Sequence, residues 1–345
     1  MTRAVFAIPG DKDRRTGGFL YEATVLRVLN EIGVKTAHLQ LPDSFPDPTV
    51  ADMAETLAAL NAVPAHQPII LDGLVFGAID PAGLAQVKAP ILAMIHHPLG
   101  LETGLAPERA AFLCENEAQA LGFAAHIVVP SPHTAEVLAR DFGADPASIT
   151  VAPPGFDRPV LNASRADPPL ILSVGLLARR KGHDVLLDAL SLITDLHWNA
   201  VIVGKAHDQH TANALRTQCR ELGLSQRVTF AGELDGPELA EHFNAASIFA
   251  LATRYEGYGM VLSEAMFYGL PVVSCDVGAV PETVGEAGIL VPPDDPAAFA
   301  NALRRLIEEP EIAAQFQQLS LERAKSLPSW RDTARVFERV IRQVS

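Results

Sequence analysis

Hydrophobic residues recur along the chain with two spacings, which predict alternating strands and helices. Residues 4–8 (AVFAI) form a short apolar run typical of a buried strand. After a loop that contains glycine, one helical face ending at Gly33 carries Phe19, Val25, Leu26, Leu29 and Ile32. Further strand-like runs are TAHLQL (36–41), PIILDG, PILAMIHH and AHIVVPS. Strands that alternate with helices are typical of a parallel sheet covered on both faces, so the pattern predicts an α/β, doubly wound domain.

The alternation stops at residues 151–169 (VAPPGFDRPVLNASRADPP), where prolines are frequent and no apolar period survives. We interpret this stretch as a linker. A second series of apolar runs follows it: PLILSVG, WNAVIVG, RVTFAG, ASIFALAT, LPVVSC and AGILVPP. The pattern therefore predicts two Rossmann-like domains, 1–153 and 154–328, and a final helix in 329–345 that returns to the first domain. Since ligands bind at the carboxyl ends of parallel strands, we expect a site in a cleft between the domains.

Composition narrows the range of partners. The chain has 345 residues and a net charge of −14, which disfavours nucleic acid as a partner and, more mildly, docking on anionic lipid. Cys114, Cys219 and Cys275 form no C-x-x-C pair and are expected to be reduced, mostly buried thiols. The first apolar run is too short for a signal peptide, and no window approaches the ~20 apolar residues of a spanning helix. We expect a cytoplasmic protein, at most peripheral on the inner membrane face.

Residues 254–278 (RYEGYGMVLSEAMFYGLPVVSCDVG) hold the most informative chemistry. Glu256 and Glu264 flank the flexible stretch Gly257-Tyr258-Gly259, and a helix is predicted to begin near Met260 and to stop at Gly269. The free N–H groups at the start of such a helix form an anion site. One carboxylate beside it can hold sugar hydroxyls and the other can reach a ribose. Taken alone, either glutamate fits an ordinary structural role better: Glu264 as a charge near a helix N-terminus and Glu256 as a surface loop residue.

Taken together, Glu256, the glycine stretch, Glu264, Ala265 and residues 269–273 (GLPVV) resemble the E-x7-E region of GT-B glycosyltransferases of family 4. Three further segments resemble parts of the same family. Residues 171–190 resemble its glycine–lysine–glycine segment, 227–234 its base-binding strand and loop, and DVGAVPETVGEAGILVPPDDPAAFANAL its closing segment. The resemblance implies a GT-B fold, with an acceptor-side domain followed by a nucleotide-sugar domain. It also implies retaining transfer of a hexose or hexuronic acid from a nucleotide diphosphate sugar, expected to be UDP-linked.

The resemblance also implies residue roles. Glu256 would face the donor hexose, Glu264 the ribose and Lys181 the diphosphate. The family often has an arginine after the first glycine of its segment, whereas Leu176 follows Gly175 here; Arg180, or else Arg179, is the substitute considered. The full predicted donor-binding set in the second domain is Gly175, Arg180, Lys181, Gly204, Glu233, Leu234, Gly257, Tyr258, Gly259, Met260, Val261 and Glu264.

In the N-terminal half, Thr16-Gly17-Gly18 resembles the family's glycine loop, which implies a position near the donor phosphates and the acceptor. His96 and His97 occupy the place of a family histidine near the reacting sugar, and His96 is preferred because of where its strand ends. Asp11-Lys12-Asp13 has the D-x-D spacing of metal-dependent glycosyltransferases, but it lies outside the donor half and is interpreted as a solvated loop. We therefore expect neither a metal nor another cofactor.

Three other functions fit parts of the pattern. A nicotinamide dehydrogenase would need a G-x-G-x-x-G after an opening strand, which neither half has. A non-catalytic sugar-binding protein would not need a lysine together with two glutamates. A sugar-nucleotide epimerase or a phosphorylase of the same architecture stays open.

The acceptor is the least constrained partner. A membrane lipid headgroup, reached by peripheral contact with the membrane, is the hypothesis, with a soluble acceptor or a polysaccharide precursor as the alternative. The lipid hypothesis rests on apolar residues beside the expected site: Phe19, Leu20, Tyr21, Leu99, Leu101 and Leu105.

Overall fold

The computed structural model describes residues 4–162 and 165–345, which form two compact units. The first unit runs to Asp157 and then takes in Pro328–Ser345, and the second is Arg158–Leu327. Each unit contains one six-stranded sheet in which every pairing is parallel. The predicted α/β class with two Rossmann-like doubly wound sheets is confirmed.

The sheet of the first unit has the strand order β2-β1-β3-β4-β5-β6. Its strands are β1 Ala4–Pro9, β2 Thr36–Leu41, β3 Ile69–Asp72, β4 Ile91–Met94, β5 His126–Val129 and β6 Ile149–Val151. The helices of this unit are α1 Gly17–Glu31, α2 Val50–Asn61, α3 Gly73–Phe76, α4 Pro81–Leu84, α5 Pro107–Leu121, α6 Pro132–Asp141 and α14 Trp330–Val344. Because β1 pairs with β2 on one side and β3 on the other, the chain direction across the sheet reverses at β1.

The sheet of the second unit has the order β12-β11-β10-β7-β8-β9. Its strands are β7 Leu170–Val174, β8 Asn199–Val203, β9 Val228–Gly232, β10 Ile248–Leu251, β11 Val272–Cys275 and β12 Gly288–Val291. Its helices are α7 His183–Ser191, α8 Gln209–Glu221, α9 Gly236–Ala245, α10 Met260–Phe267, α11 Val280–Val284, α12 Pro296–Glu308 and α13 Pro310–Ser326. Here the reversal lies between β7 and β10, which are direct neighbours. Loops that leave these two strands diverge, and this leaves room for a ligand.

Helix α14 completes the first unit by packing on α1. The ring of Tyr21 lies edge-on to Trp330, with centroids 5.7 Å apart, and also contacts Phe337. The hydroxyl of Thr333 donates to the carbonyl oxygen of Pro153 at 2.7 Å. The opposite face of α14 is exposed to solvent and carries the arginines that share a helical spacing, which are Arg331, Arg335, Arg339 and Arg342.

The structure departs from the predicted linker at its start. Val151 ends β6, a short strand outside the predicted series, and pairs with Val129 of β5. The residues after it are also held, since the carbonyl oxygen of Ala152 accepts from the Tyr21 hydroxyl at 2.8 Å. Two residues of the predicted linker, 163 and 164, lie outside the described part of the chain. Within the described residues, no helix combines the length and the apolar character required to cross a bilayer.

Candidate functional site

Lys181 and Glu256 form a buried ion pair where the second sheet reverses direction. Lys181 ends a 3-10 turn, Arg179–Lys181, that follows β7, whereas Glu256 lies in the loop that follows β10. Lys181 Nζ donates to Glu256 Oε1 at 2.6 Å, and the side chains are only 13% and 6% exposed. Arg180 Nη1 lies 3.7 Å from the other carboxylate oxygen, and the Thr253 hydroxyl is 3.0 Å from Oε1.

The surroundings of Glu256 keep it charged. Burial by itself raises the pKa of a carboxyl group, but here the Lys181 ammonium, the Arg180 guanidinium and the hydrogen bonds from Lys181 and Thr253 outweigh burial. The pKa of Glu256 therefore lies below its ordinary value. The result is a buried negative charge with two cations beside it.

The backbone around this pair is tightly constrained. Gly182 has a φ of 64°, and a Cβ there would overlap the carbonyl oxygen of Ala252. This close approach lets the turn after β7 pack directly on the end of β10. Arg254 strengthens the same junction, because it donates to Asp184 Oδ2 and to Asp294 Oδ1, each at 2.7 Å.

Helix α10 begins directly after the glycine stretch. Its N-cap, Gly259, has a φ of 85° and offers no side chain to the N–H groups of the first turn, so those groups face the loop. Glu264 is the fifth residue of this helix and is partly exposed. Burial of its carboxyl group raises the pKa of Glu264 to about 7. Glu264 thus differs from Glu256, because among the described residues no lysine or arginine is paired with it and burial alone sets the direction of its pKa shift.

The remaining predicted donor residues of this unit fall into two groups. Gly175 directly follows β7 and contacts the side chain of Lys181. Gly204 follows β8 and approaches Gly175 so closely that a Cβ on Gly204 would overlap the Gly175 carbonyl oxygen. Tyr258 accepts through its carbonyl oxygen from Thr283 Oγ1 at 2.6 Å. The others are nearer the surface: Gly257, Met260, Val261 and Leu234 are partly exposed, whereas Glu233 and Arg179 are exposed.

In the first unit, the structure groups His96 with two buried acids. His96 follows β4, and its Nε2 lies 3.2 Å from Oε1 of Glu22, a residue of α1 with no exposed surface. The Asp72 carboxyl group, at the end of β3, lies close enough to the Glu22 side chain for each to affect the pKa of the other. Gly17 and Gly18, which were predicted to form a loop, are instead the first two residues of α1, and a Cβ on Gly18 would lie 3.4 Å from the His96 ring.

The other predicted residues of the first unit lie apart from this cluster. His97 Nε2 is 3.9 Å from Glu102 Oε2, and its side chain is 15% exposed. In the loop after β1, Lys12 donates to Asp13, and Asp11 accepts from the backbone N–H of Asp13, so these residues contact one another. Across residues 4–162 and 165–345, no group of three or more His, Cys, Asp and Glu is arranged to hold a metal ion.

Sequence reasoning missed Glu22, Asp72, Thr253 and Arg254. A signal existed for Glu22, because it falls on the buried face of α1 three residues after Phe19 and three before Val25. A charged residue on an apolar stripe needs a partner. Asp72 also carried a signal, since it is a carboxylate at the end of a buried strand. Thr253 and Arg254 had none beyond their place beside Glu256.

Comparison with known sequences connects these features to a family. Residues 168–309 match the family model described as Glycosyl transferases group 1. The chain is 31% identical over 255 residues to a D-inositol 3-phosphate glycosyltransferase of Paenarthrobacter aurescens. The aligned region covers 69% of this chain and 62% of that protein. It is 26% identical over 225 residues to the mannosylfructose-phosphate synthase of Agrobacterium fabrum, covering 59% and 50%. The chain thus spans half to about six tenths of the length of these two relatives.

Solved structures match the whole chain. A sucrose-phosphate synthase from Thermosynechococcus elongatus superposes with a TM-score of 0.84 at 24% identity, covering 99% of both chains. Alr3699/HepE of Anabaena, solved in complex with UDP and glucose, superposes with a TM-score of 0.79 at 17% identity, covering 99% of this chain and 100% of that one. At these identities the likeness shows the fold, which is GT-B, as predicted.

Proposed function

We propose that the chain, whose residues 168–309 match the model of Glycosyl transferases group 1, transfers a hexose or hexuronic acid from a UDP-sugar to a hydroxyl group with retention of configuration. The observation that carries this proposal is the Lys181–Glu256 pair beside the start of α10, where the second sheet reverses direction. Positive groups for a diphosphate and a carboxylate for sugar hydroxyls lie within one loop cluster there. The UDP complex of Alr3699/HepE supports a uridine donor.

The proposed donor chemistry follows from charge. Breaking the bond between sugar and phosphate builds positive charge on the anomeric carbon and negative charge on the departing diphosphate. Lys181, Arg180 and the N–H groups at the start of α10 supply positive charge for that leaving group. Arg180 takes the part of the family arginine that Leu176 replaces, and its distance of 3.7 Å from Glu256 supports this assignment over Arg179, whose side chain is exposed.

The two glutamates are assigned to neutral hydroxyl groups. Glu256 would accept hydrogen bonds from the hexose, and Glu264 from the ribose. Glu256 is engaged by Lys181, Arg180 and Thr253, and its lowered pKa makes it a weak nucleophile. We therefore favour same-face attack assisted by the departing phosphate over a double displacement through Glu256. In the first unit, His96 is proposed to hydrogen-bond a hydroxyl of the reacting sugar.

For the acceptor, a soluble phosphorylated polyol or sugar fits better than a lipid. The names of the relatives carry D-inositol 3-phosphate and mannosylfructose phosphate. Among the apolar residues on which the lipid hypothesis rests, Phe19, Tyr21 and Leu99 are buried. Leu20 and Leu101 are 44% and 41% exposed, and these two residues keep a lipid headgroup as the second candidate.

A two-stage experiment tests the proposal. Thermal unfolding is recorded first with UDP-glucose, UDP-glucuronic acid, GDP-mannose and NAD; at about 100 times its Kd a true donor adds about 2.7 kcal/mol of stability. The donor that binds is then incubated with D-inositol 3-phosphate, fructose 6-phosphate or dispersed diacylglycerol.

Release of UDP that depends on the acceptor, with an α-linked product from an α-linked donor, is the expected result. A glycoside of inverted configuration would contradict retention. Conversion of the sugar nucleotide without an acceptor would favour an epimerase. A product formed only with diacylglycerol would favour the lipid candidate.

A further inference from the structure

Glu22 and Asp72 form a buried pair of carboxyl groups in the first unit. Glu22 has no exposed surface and Asp72 has 3%. The ionisable groups that face this cluster are Tyr21 and Glu22 from α1, Asp72 from β3 and His96 after β4. In the part of the chain that the structure describes, no lysine or arginine pairs with either acid. Two adjacent carboxylates in an apolar environment repel each other strongly, so the pair retains a proton at neutral pH.

The hydrogen bonds determine where that proton lies. Asp72 Oδ1 accepts from the backbone N–H groups of Leu74 and Val75, at 2.8 and 3.3 Å, which favours the ionised form of Asp72. Glu22 Oε1 faces His96, whereas Glu22 Oε2 is buried and makes no other contact with a donor. A proton between Glu22 Oε2 and Asp72 satisfies both acids. Whichever acid owns it, Glu22 Oε1 is left as an acceptor.

This arrangement fixes the tautomer of His96. With Oε1 as an acceptor, the ring nitrogen Nε2 must carry the hydrogen, and the neutral ring then has a bare Nδ1. Burial keeps the ring neutral by lowering the pKa of His96, against the opposing charge of Asp72. The Nε2 edge faces Gly18 and Glu22, and the ring of Tyr21 packs edge-on at 5.2 Å. The His96 side chain is 26% exposed. Its Nδ1 atom does not belong to the set of buried side-chain atoms without a hydrogen-bond partner.

We propose that Glu22 and Asp72 share one proton and together act as positioning residues, which hold His96 as the Nε2–H tautomer and present Nδ1 as a hydrogen-bond acceptor. A bare Nδ1 accepts from a sugar hydroxyl and cannot donate to one. This inference adds detail to the proposed role of His96. Its use in sugar transfer rests on the proposed function, whereas the tautomer itself rests only on the contacts described above. Loss of the shared proton adds a second negative charge beside the ring and favours the imidazolium, in which Nδ1 becomes a donor.

The test is nuclear magnetic resonance of the full chain labelled with ¹⁵N-histidine, recorded from pH 6 to pH 10, with His96→Gln for assignment. Glu22→Gln imitates the protonated acid, because its amide oxygen can accept from Nε2–H while its amide nitrogen donates to Asp72. Glu22→Met keeps the shape and removes every hydrogen bond. Glu31→Gln changes an exposed glutamate of the same helix and is the matched control.

We expect the wild type and Glu31→Gln to show a slowly exchanging Nε2–H proton for His96 at pH 7, with a second titration step near or above pH 8. Glu22→Gln should keep the proton and lose the step, and Glu22→Met should lose the slowly exchanging proton. Retention of that proton in Glu22→Met, or an identical titration in Glu22→Gln and wild type, would overturn the inference. No sugar nucleotide enters this measurement, so a failure of the proposed transferase chemistry would be seen separately.

Discussion

Each unit has a buried glutamate near the carboxyl ends of its parallel strands, Glu22 in the first and Glu256 in the second, yet their charges differ. Glu256 has Lys181 and Arg180 beside it, and its pKa lies below the ordinary value. Glu22 has Asp72 beside it, and burial raises the pKa of Glu22 to about 8. The two side chains are similarly withdrawn from solvent, so burial alone does not decide whether a carboxyl group is ionised. The lysine and arginine beside Glu256 make the difference, because the described part of the chain places neither kind of residue against Glu22.

Removing the cation from the second unit should have the largest effect. Lys181→Met leaves Glu256 buried without its ammonium partner, and we expect the free energy of unfolding at pH 7 to fall by about 3 kcal/mol. Glu256→Gln added to Lys181→Met removes the uncompensated charge and should restore most of that loss. Urea denaturation of both variants gives the values. A double variant no more stable than Lys181→Met would show that the pair is not electrostatically coupled.

The same change, glutamate to glutamine, should act at opposite ends of the pH scale in the two units. Glu22 has a raised pKa, so its contribution is fully present below the unfolded value of 4.5 and is lost as pH rises to about 8. Glu22→Gln should therefore be more stable than wild type at pH 8, by at least about 1.4 kcal/mol, the value of one pKa unit.

For Glu256, with a lowered pKa, the sign reverses. Its contribution is present above 4.5 and is lost as pH falls through the folded value, so Glu256→Gln should lose most at neutral pH and approach wild type in acid. Thermal unfolding of both variants from pH 3 to pH 9, with Glu31→Gln as control, measures the two slopes. Parallel slopes for the two variants would refute the contrast.

Glycine substitutions should separate the two sites by a smaller amount. Gly182→Ala places a Cβ against the Ala252 carbonyl in a left-handed backbone, and we expect a loss of roughly 1–2 kcal/mol. It should also weaken UDP binding about tenfold, because Lys181 precedes it. Gly18→Ala meets the His96 ring at 3.4 Å, an ordinary contact, at the second residue of α1, so we expect stability to change by less than about 0.5 kcal/mol. Calorimetry with UDP measures the change in affinity of each variant, and thermal unfolding measures its change in stability. Equal changes for the two variants would contradict the close packing of Gly182 on Ala252.

The smallest expected effect is that of a chelator. If Lys181, Arg180 and the start of α10 supply the positive charge for the diphosphate, EDTA should leave the rate of UDP release within about twofold of its value without EDTA. The assay compares untreated protein with protein dialysed against EDTA, with and without Mg²⁺ or Mn²⁺. If activity is lost in EDTA and either ion restores it, the result would contradict this prediction and indicate that Asp11 and Asp13 hold a metal ion.

The parts of the fold that sequence could predict are those with a strong period. The buried strands β1 and β2 coincide closely with AVFAI and TAHLQL, because a run of apolar residues bounded by turns has few other solutions. Strand β6 was missed because it has three residues, all half-buried, and is followed by prolines. Gly17 and Gly18 were assigned to a loop because the segment resembles the family's glycine loop, but glycine costs little at a helix start, where the structure places both residues.

The site could be predicted only as far as its local motifs extend. Lys181, Glu256 and Glu264 stand in segments whose spacing is itself informative, and the structure brings Lys181 and Glu256 into contact. In contrast, Glu22 lies 50 positions before Asp72, and Asp72 lies 24 positions before His96, so the members of this cluster come from three separate segments. Only the order of parallel strands brings them together. The hydrophobic period of a sequence does not determine that order. The charged residue Glu22 on the apolar face of α1 could have indicated only that a buried polar partner exists.

The way α14 joins the first unit has a consequence for synthesis on the ribosome. The second unit is an insertion, and the segments that enter and leave it are tied by the N–H of Phe156, which donates to the Pro328 carbonyl oxygen at 3.0 Å. During translation, the side chain of Tyr21 must wait for Trp330 and Phe337 while the whole insertion is made, roughly 10–35 s at about 5–20 residues per second. The first unit to begin is therefore the last to finish. Until it does, α1 offers the nascent chain and its chaperones an uncovered apolar face.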